Sequence, residues 1–430
     1  MQPAFSDIQS HDNRTQIDEF AKVLCSQVPG SNLGRVSYKF VCNMLTGIRR
    51  TKSVNLTSVA RGLNEKIRLH ATHKRLSRNL DDPKLTKNLS LSLLKMGAKN
   101  VSLKTRLIVH TYELHKKYAC KIEYLPKSLV DSESAFKVCE ILASDTDSNT
   151  YTPLLARVWS DRVPNYESDA QEIKNAIMQV QTATSGRGMF FLDDETVDTG
   201  SIRAIVSEPS LDFIALVRDH SFKAVHGTEL HSLGELSETV ETKYGKMMFK
   251  LVPEGLVGNS KTDMDLFMHA GSIPIRLPQF SRRLSLIALK SSSRLTGEAS
   301  SPLLTSQIKL RSRKAVMGLV ESYLSIKDII SLHSAFRETF DPSGFRVLTY
   351  NRLQLLITLL QTVIHYETSI EGSLSISEKK MSTKPHDGEI QRTYYRPELS
   401  AQASQIDVDS ASTTLERDRQ SAVYGTHVQY

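Results

Sequence analysis

One stretch limits the architecture more than any other. An amphipathic segment from Ser168 to Gln181 leads to a Gly186-Arg187-Gly188 turn, then to the apolar run Met189-Phe190-Phe191-Leu192, closed by Asp193 and Asp194. That order predicts helix, tight loop and buried strand. Ser168 and Gln171 have capping-box spacing, and Ile173, Ala176, Ile177 and Val180 supply the apolar helix face. A carboxylate that ends a buried strand is held rigidly and can reach a cleft. Mg²⁺ prefers oxygen ligands presented in this way, so the stretch raises the question of partner carboxylates elsewhere. Taken alone, an acid placed like Asp193 is most often an ordinary strand-end or turn acid.

The elements around this stretch predict an α/β core. Ile17-Phe20-Ala21-Leu24 and Val36-Phe40-Val41-Met44-Leu45 have helical spacing, and two short helices follow over Asn55–Asn64 and Ile67–Leu80. Asp81-Asp82-Pro83 stops the second of them. The pair resembles a helix-turn-helix layout with Lys74, Arg75 and Arg78 on one face. Strand candidates are Arg106–His110, Ala135–Leu142, Met189–Leu192 and Leu211–Val217, and Tyr151–Trp159 carries the chain onward to the helix at Ser168. Short β runs at Lys246–Val252, Ile273–Leu277 and Arg283–Leu289 suggest a β-rich insertion over about 220–310. Helices are expected over Lys314–Phe340 and Asn351–Tyr366, separated by Asp341-Pro342-Ser343-Gly344. The polar, Ser/Thr-rich chain over 367–430 reads as a disordered tail.

Charge is unevenly placed. Residues 1–130 hold 23 Lys and Arg against 9 Asp and Glu, a net of +14, although the whole chain carries only +8. A basic module on a near-neutral body points to a polyanion, and double-stranded DNA is the expected partner. Cys25, Cys42, Cys120 and Cys139 make no Cys-x-x-Cys pair and read as reduced thiols of a cytosolic chain. Leu353–Ile364 is too short to span a bilayer. No membrane role is expected, and the expected location is cytoplasmic and nucleoid-associated.

Several fragments resemble, in order, the DDE transposases of the insertion-sequence four group, which have a ribonuclease-H-like catalytic core. They are Lys74–Leu80, Tyr118–Leu125, Thr152–Leu155, Glu167-Ser168 and its helix, Phe191-Leu192-Asp193, Leu211–Arg218, Pro302–Thr305 and Phe345-Arg346-Val347. The resemblance covers about residues 35–365 and implies three parts. These are a helical DNA-binding region over 1–100, a ribonuclease-H-like core over 101–366 with its β-rich insertion, and the tail. It also implies three carboxylates on two metal ions, terminal inverted repeats of an element as the DNA, and a homodimer acting on paired ends.

The residues depart from that pattern at the chemistry. Asp193 stands where the second catalytic Asp belongs, but the first position is His110. On the helix that starts at Lys314 the expected Tyr, Arg, Glu and Lys positions hold Tyr323, Ile326, Ile330 and Arg337. Isoleucine ligates no metal, and imidazole suits Mg²⁺ poorly. Substitute acids lie nearby. Glu113 follows His110 by three residues. Asp328 precedes Ile330 by two, about 200° away around the helix. Asp194 neighbours Asp193 but is expected to point away from it. A displaced catalytic set of Glu113, Asp193 and Asp328, using Mg²⁺ at Asp193, is therefore one reading, an active cut-and-paste transposase. The main reading is a transposase-like DNA-binding protein impaired in strand cleavage. A third is a DNA-binding regulator on the old scaffold. DNA contacts are expected from Arg49, Arg50, Lys74, Arg75, Arg78, Tyr323 and Arg337. Each of the basic residues among them also reads as a solvated surface group, and His110 and Trp159 read as core residues.

Overall fold

A computed structural model describes residues 5–27, 34–117, 121–126, 133–145, 150–195, 197–251, 263–293 and 297–381. The first described elements are helices α1 (Phe5–Cys25), α2 (Arg35–Thr51), α3 (Leu56–Gly62), α4 (Leu69–Asn79) and α5 (Pro83–Ala98). Side-chain caps set their boundaries. Asn55 accepts from the amides of Thr57 and Ser58 to start α3. Asp82 does the same for Lys84 and Leu85, with Pro83 in the first turn of α5, a position where its missing N–H costs nothing. The Asp81-Asp82-Pro83 signal thus ends α4 and begins α5.

The remainder is a mixed α/β body built on one large sheet. Strands β1 (Arg106–Lys117), β2 (Glu133–Ser144) and β3 (Thr152–Trp159) form an antiparallel meander. Helix α6 (Asp169–Ala183) leads to β4 (Met189–Leu192), and α7 (Thr199–Val206) leads to β5 (Phe213–Leu216). Both β4 and β5 run parallel to β1. A small hairpin of β6 (Lys223–His226) and β7 (Glu229–Ser232) and helix α8 (Leu233–Thr239) come next. Strands β8 (Tyr244–Leu251), β9 (Asp263–Ile275), β10 (Leu284–Ser293) and β11 (Gly297–Thr305) follow. The sheet order is β3-β2-β1-β4-β5-β11-β10-β9-β8. Apart from the β6–β7 hairpin, the β-rich stretch therefore does not make a separate sheet: β11 pairs with β5 through Leu303 and Leu216 and extends the central one. Helices α9 (Arg313–Leu324), α10 (Ile326–Glu338) and α11 (Tyr350–Met381) are the last described elements.

Two differences from the sequence reading matter. The helix expected over Lys314–Phe340 is divided at Ser325. The Ser325 hydroxyl bonds back to the Ser322 carbonyl and accepts from the Arg106 guanidinium, a local side-chain bond that competes with regular helix. Helix α11 also runs on to Met381, past the expected start of the tail at 367. Residues 382–430 of that tail lie outside the described residues, as do Tyr118, Ala119 and Cys120.

Alternation along the strands divides the core into two layers. Ile108, Leu114, Phe136, Val138 and Phe191 face α9–α11 and the N-terminal helices. Leu107, Val109, Ile141, Phe190 and Leu192 face α6–α8. The turn before β4 needs its glycines. Gly188 has φ +87°, and a Cβ there would meet Leu107 at 2.9 Å, so a substitution meets both strain and a clash.

Helix α11 is buried along most of Leu353–Tyr366 and packs against α2, α5 and β3. Its His365 donates from Nδ1 to the Pro153 carbonyl at 2.9 Å. Burial holds this histidine below its ordinary range, although the bond to Pro153 opposes the shift. The sign follows from linkage. The unfolded chain takes up the proton first, near pH 6.5, so this stability is present above that pH and is lost as pH falls toward the folded value. The expected result is a melting temperature that drops between pH 7.5 and 5.5. His365→Phe should make that dependence shallower, and an unchanged slope would show that His365 titrates freely.

Candidate functional site

The end of β4 assembles an acidic cluster around one lysine. Val109 pairs with Leu192 in register, and the Asp193 amide donates to the Val109 carbonyl at 3.0 Å. Asp193 therefore follows Leu192 just as His110 follows Val109, and both are 2% exposed. Lys327, in the first turn of α10, places its Nζ 2.5 Å from Asp193, 2.9 Å from Asp194 and 3.2 Å from Glu195. Burial works against the ammonium, but Asp193 and Asp194 outweigh it and raise its pKa. Arg218, just beyond β5, adds a 2.8 Å contact to Asp194. Burial pushes the Asp194 carboxyl up; Lys327 and Arg218 overcome this and hold it below the usual range. Asp194 does not point away from Asp193, as strand alternation predicts, because β4 ends at Leu192 and the chain turns there.

Tyr323 completes the wall. It is 1% exposed, donates to the Leu192 carbonyl at 3.0 Å and accepts from the Leu216 amide at 3.2 Å. It bridges the ends of β4 and β5 inside the protein and offers nothing to a DNA surface.

A second ionic cluster lies deeper, between β1, β2 and α10. Glu140 stands opposite His110 across the β1–β2 ladder. His333 Nε2 and Arg337 Nη1 each approach Glu140 Oε2 at 2.8 Å, and His110 Nε2 lies at 3.4 Å. The Arg337 guanidinium also stacks 3.5 Å from the Tyr112 ring centroid. Burial alone would push the Glu140 carboxyl up; His333 and Arg337, with the His110 ring turned toward it, reverse this and hold it well below the usual carboxylate range. Burial also holds His333 below its ordinary value despite Glu140, so its neutral ring donates Nε2–H to the carboxylate. Arg337, expected at a phosphate, is 4% exposed and spent on this internal pair.

Glu113 does not join Asp193. Glu113 is exposed and pairs with His115 at 3.3 Å. It lines a cleft of about 350 Å³ with Thr111, Lys137, Asp169, Glu195 and Asp198. By alternation it faces the α6 side of the sheet, whereas His110 and Asp193 face α10. Asp328 is exposed, one residue past Lys327. A Mg²⁺ pair does not fit: the oxygen ligands come from one strand end, an ammonium already sits among them, and the position on β1 level with Asp193 is His110.

Of the expected DNA contacts, Lys74 and Arg78 are exposed on α4, and Arg50 is exposed and donates to the Gly62 carbonyl. Arg75 is tied to both Glu65 oxygens at 2.7 and 2.8 Å. Arg49 is bound to Glu367 at 2.6 Å. Arg50, Lys66 and Arg75 share a polar hollow of about 350 Å³ between α2 and the α3–α4 turn. Trp159 is core, its indole donating to Asp169 at 2.8 Å. Cys25, Cys42 and Cys139 are free thiols. Among the described residues no helix is long and apolar enough to cross a membrane.

Lys327, Glu140, His333 and Arg218 escape the sequence reading. Glu140 does leave a signal, since it shares a strand face with Phe136, Val138 and Leu142, where a charge must be paired. His333 and Arg337 repeat that signal at i, i+4 on α10. Lys327 leaves none, because its place depends on the helix break.

No family model and no curated protein sequence matches the chain. Among solved structures, the chain is similar to a cryo-EM structure of a piggyBac transposase synaptic complex with hairpin DNA. That match has a TM-score of 0.43 and 11% identity, and it covers 86% of this chain and 74% of that chain.

Proposed function

We propose that this chain is a transposase-like DNA-binding protein of the DDE class that does not cut or join DNA strands by two-metal chemistry. The observation that carries the reading is the Lys327 ammonium seated among Asp193, Asp194 and Glu195. In a strand-transfer enzyme that ground belongs to divalent cations, which supply the nucleophile and steady the leaving oxygen. Here a tethered monocation neutralises the acids, and it offers no open coordination position. The ribonuclease-H-like reading is supported by the meander β3-β2-β1 meeting the parallel strands β4 and β5, with Asp193 at a strand's carboxyl end. The DNA-binding reading is supported by the basic charge of the first 130 residues and by Lys74 and Arg78, exposed on α4.

The test uses the purified chain and duplex DNA from the flanks of its own gene, with Mg²⁺ or Mn²⁺. Salt-sensitive binding without nicking is expected. Changing Lys74, Arg75 and Arg78 together to Ala should weaken binding and flatten the dependence of log K on log salt by about 1 for each phosphate that is no longer neutralised. Strand nicking that disappears in Asp193→Ala would overturn the reading in favour of an active enzyme. Absence of salt-sensitive binding would remove the DNA partner.

A further inference from the structure

The geometry points to a separate, buried site for one transition-metal ion of the zinc class, held by His110, Glu140 and His333. The three come from β1, β2 and α10, are all buried, and bring one ligand atom each within 4.8 Å of the others. On a tetrahedral ion with bonds of about 2.0–2.1 Å, neighbouring ligand atoms stand about 3.3 Å apart. His110 Nε2 lies 3.4 Å from Glu140 Oε2, and His333 Nε2 lies 2.8 Å from the same oxygen. A small opening of the second approach makes room for the ion.

A second observation concerns unmet hydrogen bonding. His110 Nε2, Tyr112 Oη, His333 Nδ1 and Arg337 Nε are buried polar atoms without a hydrogen-bond partner among the described residues, and all four belong to this one cluster. Of these, an ion would answer His110 Nε2 directly by taking its lone pair, whereas the Arg337 Nε–H is a donor that no cation meets. His110 is the most telling. It is 2% exposed, and its Nε2 is directed at a carboxylate with which it completes no good hydrogen bond.

The donor set selects the ion. Two imidazole nitrogens and one carboxylate suit Zn²⁺ or Co²⁺ and do not suit Mg²⁺. The proton balance is simple. Glu140 is already ionised and gives up no proton. The proton on His333 Nε2 moves to Nδ1 on the same ring, freeing the Nε2 lone pair for the metal and making Nδ1 a buried donor whose unmet bond weakens the site. His110 binds through its Nε2 lone pair in the neutral form. Arg337 remains hydrogen-bonded to the carboxylate and orients it, as an outer partner of a metal ligand does. Its positive charge also makes the site weaker than the same three ligands without an arginine. An ion here would clamp α10 to β1 and β2 from inside. It is independent of the acids around Lys327 and of any DNA chemistry.

The test is metal binding by the full chain after chelator treatment. Equilibrium dialysis against Zn²⁺ should give one tightly held ion per chain. Co²⁺ should give the visible bands of a four-coordinate site, and saturating Zn²⁺ should raise the melting temperature by about 2–5 °C. X-ray absorption at the zinc edge should show two imidazole nitrogens with an oxygen neighbour. Excess Mg²⁺ should displace none of it. His110→Asn and His333→Gln should each abolish the bound ion while far-ultraviolet circular dichroism stays unchanged. Should either variant fail to fold, the absorption spectrum of the unaltered chain decides. Less than one-tenth of an ion per chain, displacement by Mg²⁺, or a zinc shell without imidazole would overturn the proposal. Undiminished binding by a folded His110→Asn would do the same.

Discussion

Glu140→Ala is expected to destabilise the chain by about 3–5 kcal/mol, the range found when one partner of a buried ion pair is removed. Arg337, 4% exposed against the Tyr112 ring, would keep its charge and lose its buried 2.8 Å partner, retaining the exposed Glu338 at 3.4 Å. Arginine cannot escape by losing its proton, because its pKa lies above about 12. The loss therefore appears in full at neutral pH. Urea melts with a chelator present measure it without any contribution from bound metal. The paired change of Glu140→Leu with Arg337→Met should recover most of the loss, since a well-packed apolar pair often equals a buried ionic one. A loss below about 1 kcal/mol for Glu140→Ala would mean that water reaches the cluster in solution.

The second large effect is expected from Lys327→Met, which keeps most of the side chain's volume and removes its charge. Asp193 and Asp194 would remain buried and lose the ammonium that lies 2.5 and 2.9 Å from them, and a destabilisation of about 3 kcal/mol at pH 7 follows. The pH dependence identifies the cause. Asp194 now has a depressed pKa, so its stabilisation is present above the unfolded value of about 3.9 and is lost as pH falls through the folded value. Without Lys327 much of that stabilisation is already missing at neutral pH. The gap between the unaltered and substituted chains should therefore be wide at pH 7 and narrow near pH 3. A gap independent of pH would assign the loss to packing alone.

Much of the scaffold is legible because its signals are local. The run Met189–Leu192 is β4 to the residue, and Ser168 caps α6 by accepting from the Gln171 amide. The capping box is only half formed, since the Gln171 side chain turns to Asn175 instead. The strands beyond residue 240 announce themselves as short apolar runs, but their union with the central sheet does not. Such pairing depends on long-range register, which no short window contains.

The site is less legible than the scaffold. Asp193 stands out because a strand end is a local signal. Its actual partner, Lys327, depends on the interruption at Ser325, and Arg106 helps to fix that interruption from the start of β1. A single continuous helix over Lys314–Phe340 has the right residues in the wrong surroundings. Tyr323 and Arg337 suit a DNA surface by residue type, and burial decides otherwise. An arginine on a helix carries no mark of whether its partner is a phosphate or an interior glutamate.

Helix α11 has a consequence for how the chain comes apart. It is the shared wall of two regions that look separable in sequence. Gly97 of α5 lies so close to Leu154 of β3 and to His365 that a Cβ would not fit, and Arg49 of α2 is locked to Glu367. The basic helices are therefore not a tethered accessory that swings on a linker. A fragment beginning near residue 100 would bare the apolar flanks of α11 and β3 to water and tend to aggregate. The helices carrying Lys74 and Arg78 and the sheet carrying Asp193 thus share one packed wall.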